Sequence, residues 1–234
     1  MSDSMIHVRN LIRSYARGGE TLKVLDGLDL DMPAGEFWAL MGPSGSGKTT
    51  LLNLIGGLDQ ADSGQLQVAG EELTHLDNRE LAEWRAETIG FVFQGFNLIP
   101  VLSALENLEL ALLLTPLSRR QRREHAQNAL ELVGLADRMK HKPKELSGGQ
   151  EQRVAIARAI VTDPAVLLAD EPTGDLDRAA ADQILDLLCK LNQEMEKTIL
   201  MVTHDPLAAN HANSIVHLDK GRLGSIEKVQ HSVI

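Results

Sequence analysis

Phe37-Trp38-Ala39-Leu40-Met41-Gly42-Pro43-Ser44-Gly45-Ser46-Gly47-Lys48-Thr49-Thr50-Leu51-Leu52 begins as a continuous apolar run, breaks into glycines, and resumes as an apolar segment reaching Ile55. An apolar run without polar alternation marks a strand covered on both faces, and Thr49 to Ile55 reads as a helix. The loop between them matches the phosphate-binding pattern G-x-x-x-x-G-K-[ST]. Glycine is needed there because backbone amides must approach phosphate oxygens with no Cβ in the way. The helix that follows turns its positive end toward the same anion. The pattern sends Lys48 to the β- and γ-phosphates and the Thr49 hydroxyl to magnesium. Gly42, Ser44, Gly45, Ser46, Gly47, Lys48, Thr49 and Thr50 are the candidate ATP-binding residues.

The acids that such a loop works with lie far along the chain. Ala165-Val166-Leu167-Leu168-Ala169-Asp170-Glu171 is an apolar strand ending in two carboxylates. In a parallel sheet that end lies beside the phosphate loop, so Asp170 is expected to hold magnesium, partly through water. The chain leaves the strand at Glu171, which frees its side chain to aim at the γ-phosphate. Glu171 is the candidate general base that polarises the attacking water.

Further outward, Ile6 to Leu11 and Lys23 to Leu30 alternate as half-buried antiparallel strands. Pro33-Ala34-Gly35 reads as a turn, and Gln65 to Leu73 as a strand after the Asp62-Ser63-Gly64 turn. Helical spacing runs through Arg79 to Ala86, Ala104 to Leu113, Arg119 to Val133 and Gly149 to Val161, interrupted by a short strand at Ile89 to Phe93. A helix from Arg178 to Glu194 separates the apolar strand at 165–169 from another at Thr198 to Thr203. The expected architecture is α/β. It has a P-loop NTPase core with a mainly parallel sheet, an N-terminal antiparallel β subdomain and an inserted helical subdomain. As one domain spanning 1–234, it divides into a core of 1–94 and 162–234 and a helical part of 95–161.

Composition narrows the classes of function. The 234 residues are 43% hydrophobic and 24% charged, which excludes wholesale disorder. A formal charge of −10 argues against a general nucleic-acid binder, and 3% aromatic residues leave few platforms for stacked bases. No stretch approaches the roughly 18 apolar residues of a membrane span. Met1-Ser2-Asp3-Ser4-Met5 lacks the basic and apolar regions of a signal peptide. If a membrane is involved, another polypeptide spans it. The lone Cys189 has no internal disulfide partner and sits in an apolar-periodic segment, as a buried structural thiol of a reducing cytoplasm would. His75, His125, His141 and His211 lack metal-ligand spacing and read as surface residues.

Leu146-Ser147-Gly148-Gly149-Gln150 precedes a second long helix. Ser147 has the chemistry of an N-cap, and two glycines follow with exposed amides. By position alone this is equally an ordinary capped helix or a second anion-binding helix end, and one triphosphate hardly needs two in one subunit.

Over essentially its full length the chain resembles an ABC ATPase. Residues 146–150 match that family's LSGGQ signature. Gln94, after Phe91-Val92-Phe93, matches its Q-loop, and Asp175-Leu176-Asp177 falls at its D-loop. His204 in Val202-Thr203-His204-Asp205 matches its switch histidine, and Tyr15 falls where the family sets an aromatic ring against adenine. The resemblance implies ATP and Mg2+ as ligands and a head-to-tail pair of copies. Ser147, Gly148, Gly149 and Gln150 would then face the nucleotide on the other copy's phosphate loop. It gives His204 the γ-phosphate, Gln94 the metal or water together with a link to the helical part, and Asp177 the D-loop. It also implies an integral membrane permease as partner, no nucleic acid, and a cytoplasmic place on the inner face of the membrane.

Within the family, Phe91 to Pro100 with Ala104-Leu105-Glu106-Asn107 is similar to the lipoprotein-release and macrolide-export branch, to which a cell-division ATPase is related. Asp175 departs from that branch, where Asn is common, and Ala111 stands where proline is frequent. A regulatory or cell-division ATPase without transport is the alternative, since the catalytic residues would be the same. A translation or DNA-repair ATPase of the same family is a third reading, disfavoured by the acidic charge. The apolar Phe96, Leu98, Ile99, Pro100, Val101 and Leu102 suit either a permease-docking surface or packing within the helical part.

Overall fold

The computed structural model describes residues 4–229, so the reading of Met1 to Asp3 lies outside the described residues. In chain order the elements are β1 (Ser4–Arg17), β2 (Glu20–Pro33), β3 (Phe37–Met41), α1 (Lys48–Ile55), β4 (Ser63–Val68), β5 (Glu71–Glu72), α2 (Asn78–Thr88) and β6 (Ile89–Phe93). Then follow α3 (Ala104–Ala111), α4 (Arg119–Leu132), α5 (Gly148–Ile160), β7 (Val166–Asp170) and α6 (Arg178–Met195). The chain continues through β8 (Thr198–Val202), α7 (Pro206–Ala209), β9 (Ser214–Asp219) and β10 (Arg222–Lys228).

Two sheets result. One is antiparallel in the order β2-β1-β4-β5, and the other runs β10-β9-β3-β8-β7-β6. In the second, β3, β6, β7, β8 and β9 are parallel, and only the edge strand β10 is antiparallel. The strands without polar alternation are those buried on both faces. Phe37, Ala39, Leu167, Ala169, Ile199 and Met201 point into one hydrophobic core, shared with α3 to α6. Their neighbours Trp38, Leu40, Val166, Leu168, Leu200 and Val202 point into a second core, shared with α1 and the antiparallel sheet. The period of two along each strand thus feeds both cores at once.

Helix α1 has eight residues, too few to persist alone in water. Burial of Leu51, Leu52, Leu54 and Ile55 holds it, each side chain contributing about 1.5–3 kcal/mol relative to exposure. Helix α6 shows the same logic on one stripe, burying Ile184, Leu185, Leu188 and Leu191.

Three differences from the sequence reading share one cause. β1 and β2 run well past Leu11 and before Lys23, because they form a hairpin closed by Gly18-Gly19 (φ 61° and 88°). The strand read over 65–73 is cut at Ala69-Gly70 (φ 50° and 84°) into β4 and β5. The pair β9 and β10, absent from the sequence reading, turns at Lys220-Gly221 (φ 46° and 75°). Each loop has two residues with positive φ, the turn whose twist matches that of paired strands. Cys189 is half-buried rather than buried. Its thiol donates to the His211 carbonyl at 3.5 Å, and burial pushes its pKa up to about 11, away from reactivity. Among the described residues, no helix is long and apolar enough to cross a membrane.

Candidate active site

The carboxyl ends of β3, β7 and β8 meet at a cleft of about 470 Å³. It is lined by Ser44, Gly45, Gly47, Lys48, Thr49, Thr50, Asp170, Glu171 and His204, together with Leu22, Val24 and Val202. Nine of the predicted residues therefore stand around one space. Leu22 and Val24, on β2, carry no sequence signal for this place, because only the packing of the antiparallel sheet over α1 brings them there.

The loop is held open by its backbone. A Cβ on Gly42 would lie 2.1 Å from the Leu218 carbonyl oxygen, so β9 can approach the loop only if residue 42 has no side chain. Gly221 N–H donates to the Ser46 carbonyl at 3.1 Å, so the β9–β10 turn buttresses the loop from outside. At the head of α1, Gly47 is left-handed and no side chain caps the helix, so its first amides keep their donors for a ligand. The Lys48 ammonium donates to the Gly42 and Pro43 carbonyls at 2.8 and 3.0 Å, which folds it back along the loop. Ser46 Oγ is buried without a hydrogen-bond partner among the described residues.

Asp170 ends β7. Its pKa is raised, first by burial and further by the Glu171 charge, against the pull of a Thr49 hydrogen bond and of Lys48. Glu171 leaves the strand in the left-handed region at φ 49°. That turn redirects its side chain, which contacts His204 Nδ1 at 2.9 Å, while His204 N–H donates to the same carboxylate at 3.4 Å. The Glu171 side chain is 20% exposed and that of His204 75%, so the acid is sheltered and the imidazole faces the cleft mouth. Thr49 and Asp170 offer two hard oxygens beside the phosphate loop. Magnesium commonly takes one or two carboxylates plus substrate phosphates, so this donor set fits it. A carboxylate disfavoured by its own surroundings is also what a cation would relieve.

Other predicted residues do not line this cleft. The Tyr15 hydroxyl donates to Asp59 at 2.6 Å, and the Arg13 guanidinium lies 4.7 Å from its ring centre. Arg13 in turn grips Asp59 and Asp62, so the ring is fixed in an ion network. Gln94 Nε2 donates to Asp175 at 2.7 Å, across Gly174. Asp177 caps α6 through the Ala180 amide. Ser147 caps α5 in a reciprocal pair with Gln150, and a Cβ on Gly149 would meet Ala180 at 3.1 Å, so the heads of α5 and α6 pack together. The loop at 98–103 divides by residue. Leu98 packs against the helical core, while Ile99, Pro100 and Val101 are exposed. Buried Asn107 braces that loop, donating to the carbonyls of Ile99, Leu102 and Ser103. Among the described residues, no group of three or more His, Cys, Asp or Glu is placed to hold a metal.

Residues 25–174 match the ABC transporter family. The chain is 49% identical to the uncharacterized ABC transporter ATP-binding protein YknY of Bacillus subtilis, over 98% of this chain and 99% of that one. It is 46% identical to the lipoprotein-releasing system ATP-binding protein LolD of Chromohalobacter salexigens, over 95% of this chain and 94% of that one. Its fold superposes with a TM-score of 0.88 on the dimeric post-hydrolysis state of the ATP-binding cassette MJ0796 bound to ADP and Pi, from Methanocaldococcus jannaschii. That match is 43% identical and covers 97% of this chain and all of the other.

Proposed function

We propose a function from the premise that this chain belongs to the ABC transporter family: it binds and hydrolyses ATP as a pair of copies and drives a membrane-embedded permease. The observation that carries this reading is the gathering of Lys48, Thr49, Asp170, Glu171 and His204 at one cleft, with Glu171 and His204 in contact at 2.9 Å. The LolD relative supports transport of the lipoprotein-release type over a purely regulatory role.

On ATP binding, Lys48 exchanges the Gly42 and Pro43 carbonyls for β- and γ-phosphate oxygens, and the loop amides take the others. Thr49 and Asp170 would hold Mg2+, which supplies neutralisation of phosphate charge. Glu171 accepts a proton from the attacking water as its oxygen bonds to the γ-phosphorus, and the bond to the β-phosphate oxygen breaks. His204, steered through Nδ1 by Glu171, offers its other ring nitrogen to the γ-phosphate and stabilises the developing charge. Leu22 and Val24 form the apolar wall on which adenine packs, with Tyr15 at its margin. Gln94, bonded to Asp175, would help hold the metal or the attacking water and link the site to the helical part.

Ser147 to Gln150 lie off the cleft of their own chain, which suits donation to the nucleotide of the second copy, as does the dimeric state of the MJ0796 cassette. The core of 1–94 and 162–234 carries the phosphate site, and the part from 95 to 161 carries the signature. The exposed Ile99, Pro100 and Val101, on a loop braced by Asn107, form the permease-docking surface. The chain then sits at the cytoplasmic face of the membrane. Replacing Lys48 by Ala tests the assignment: ATP binding and phosphate release should both be lost, and native turnover in that variant would end the phosphate-loop reading.

A further inference from the structure

Gln152 lies two residues beyond the signature on α5 and is fully buried, at 0% exposure. Its amide nitrogen donates to two carbonyls: Pro172 at 2.7 Å and Phe93 at 3.3 Å. Among the described residues its own Oε1 has no partner. Burying an amide with an unmet acceptor costs free energy that a methionine of similar size would not. The site keeps the glutamine for what the donors hold. Pro172 is the residue after Glu171, and Phe93 is the residue before Gln94.

Glu171 sits at φ 49°, a conformation that persists in a non-glycine residue only when its surroundings over-determine it. On one side its N–H donates to the Val202 carbonyl at 2.9 Å, and its own carbonyl accepts from Gly174 at 3.0 Å. On the other, proline fixes the next φ and Gln152 pins the next carbonyl. Farther along α5, Arg158 reaches the Phe96 carbonyl at 3.0 Å and also donates to that of Asn97. One helix, headed by Ser147, therefore grips both the turn after Glu171 and the loop that carries Gln94.

We propose that Gln152 is a positioning residue that transmits displacement of the signature helix to Glu171. When α5 is docked against β6, the bond to Pro172 keeps the Glu171 carboxylate aimed at the attacking water. When α5 shifts, as permease or partner copy moves its head, the same bond draws Glu171 out of line. This rests on the ATPase reading with Glu171 as base.

The test is a two-background comparison in the full chain. Gln152→Met removes both donors at similar volume. Phosphate release is measured across ATP concentration in the native and Glu171→Gln backgrounds. In the native background kcat should fall roughly ten- to a hundredfold, the cost of a misplaced catalytic group, with KM for ATP little changed. In the Glu171→Gln background, where no base remains to be aimed, the residual rate should not fall further. A role confined to stability would lower both backgrounds alike. Equal loss in both, or an unchanged kcat in the native background, overturns the proposal. Should Gln152→Met fold poorly, Gln152→Asn serves, since its amide is one methylene too short to reach Pro172. A native chain that does not hydrolyse ATP, or a Glu171→Gln chain as active as native, sinks the ATPase reading instead.

Discussion

Glu171→Gln separates chemistry from architecture at this site. The substitution keeps length, shape and the capacity to accept a hydrogen bond from His204, and leaves the left-handed backbone with the same kind of side chain. What it removes is the ability to take a proton. A positioned general base is worth about 10²–10⁴ in rate, or roughly 3–5 kcal/mol of barrier. The structural loss is much smaller. His204 is mostly exposed, so its contact with Glu171 is screened by solvent and contributes at most about 1 kcal/mol. For a chain of this size that shifts Tm by about 2–4 °C or less. The assay pairs phosphate release at saturating ATP with thermal melting and size-exclusion chromatography in ATP. The expected result is a large loss of kcat, a nearly native Tm, and a dimer that accumulates with ATP. A fall in kcat of less than about tenfold would refute the assignment of the base.

Asp170→Asn tests the electrostatics. The folded carboxyl binds its proton more tightly than in the unfolded chain, so its stabilising share is complete below the unfolded pKa and is lost as pH rises through the folded one. Without metal or nucleotide, the Asn variant should therefore melt above the native chain at neutral pH, with the gain vanishing on acidification, while Mg2+-dependent hydrolysis disappears. A native chain that melts higher at neutral pH would contradict this. Ser147→Arg should block hydrolysis while leaving ATP binding to a single chain intact. Mixed with Lys48→Ala, it should recover activity, because each mixed pair holds one complete site; no recovery would rule out donation between copies. Gly42→Ala sets a methyl against the Leu218 carbonyl and should cost more than about 1 kcal/mol in stability, seen as a lower Tm, and weaken ATP binding. A native Tm and affinity would mean the loop tolerates a Cβ there.

The amino-acid sequence by itself determined what depends on near neighbours along the chain. The apolar runs of β3, β7 and β8 announce strands buried on both faces, the glycine loop announces the helix that follows it, and Ser147 announces the cap of another. Each is a matter of period or spacing over a few residues, and each lies where that reading put it. Only the tertiary structure decided which distant groups meet. That Gln152 donates to carbonyls 59 and 20 positions away follows from the seating of α5 against β6, beside the turn after β7. That the β9–β10 turn props the phosphate loop follows from β9 lying beside β3. Tyr15 belongs to an ion network because Arg13, Asp59 and Asp62 fold over it, and Gln94 finds Asp175 for the same kind of reason. A hydrogen bond reaches about 3 Å whatever the sequence separation. Local pattern can name the donors, but the packed core brings them within that reach.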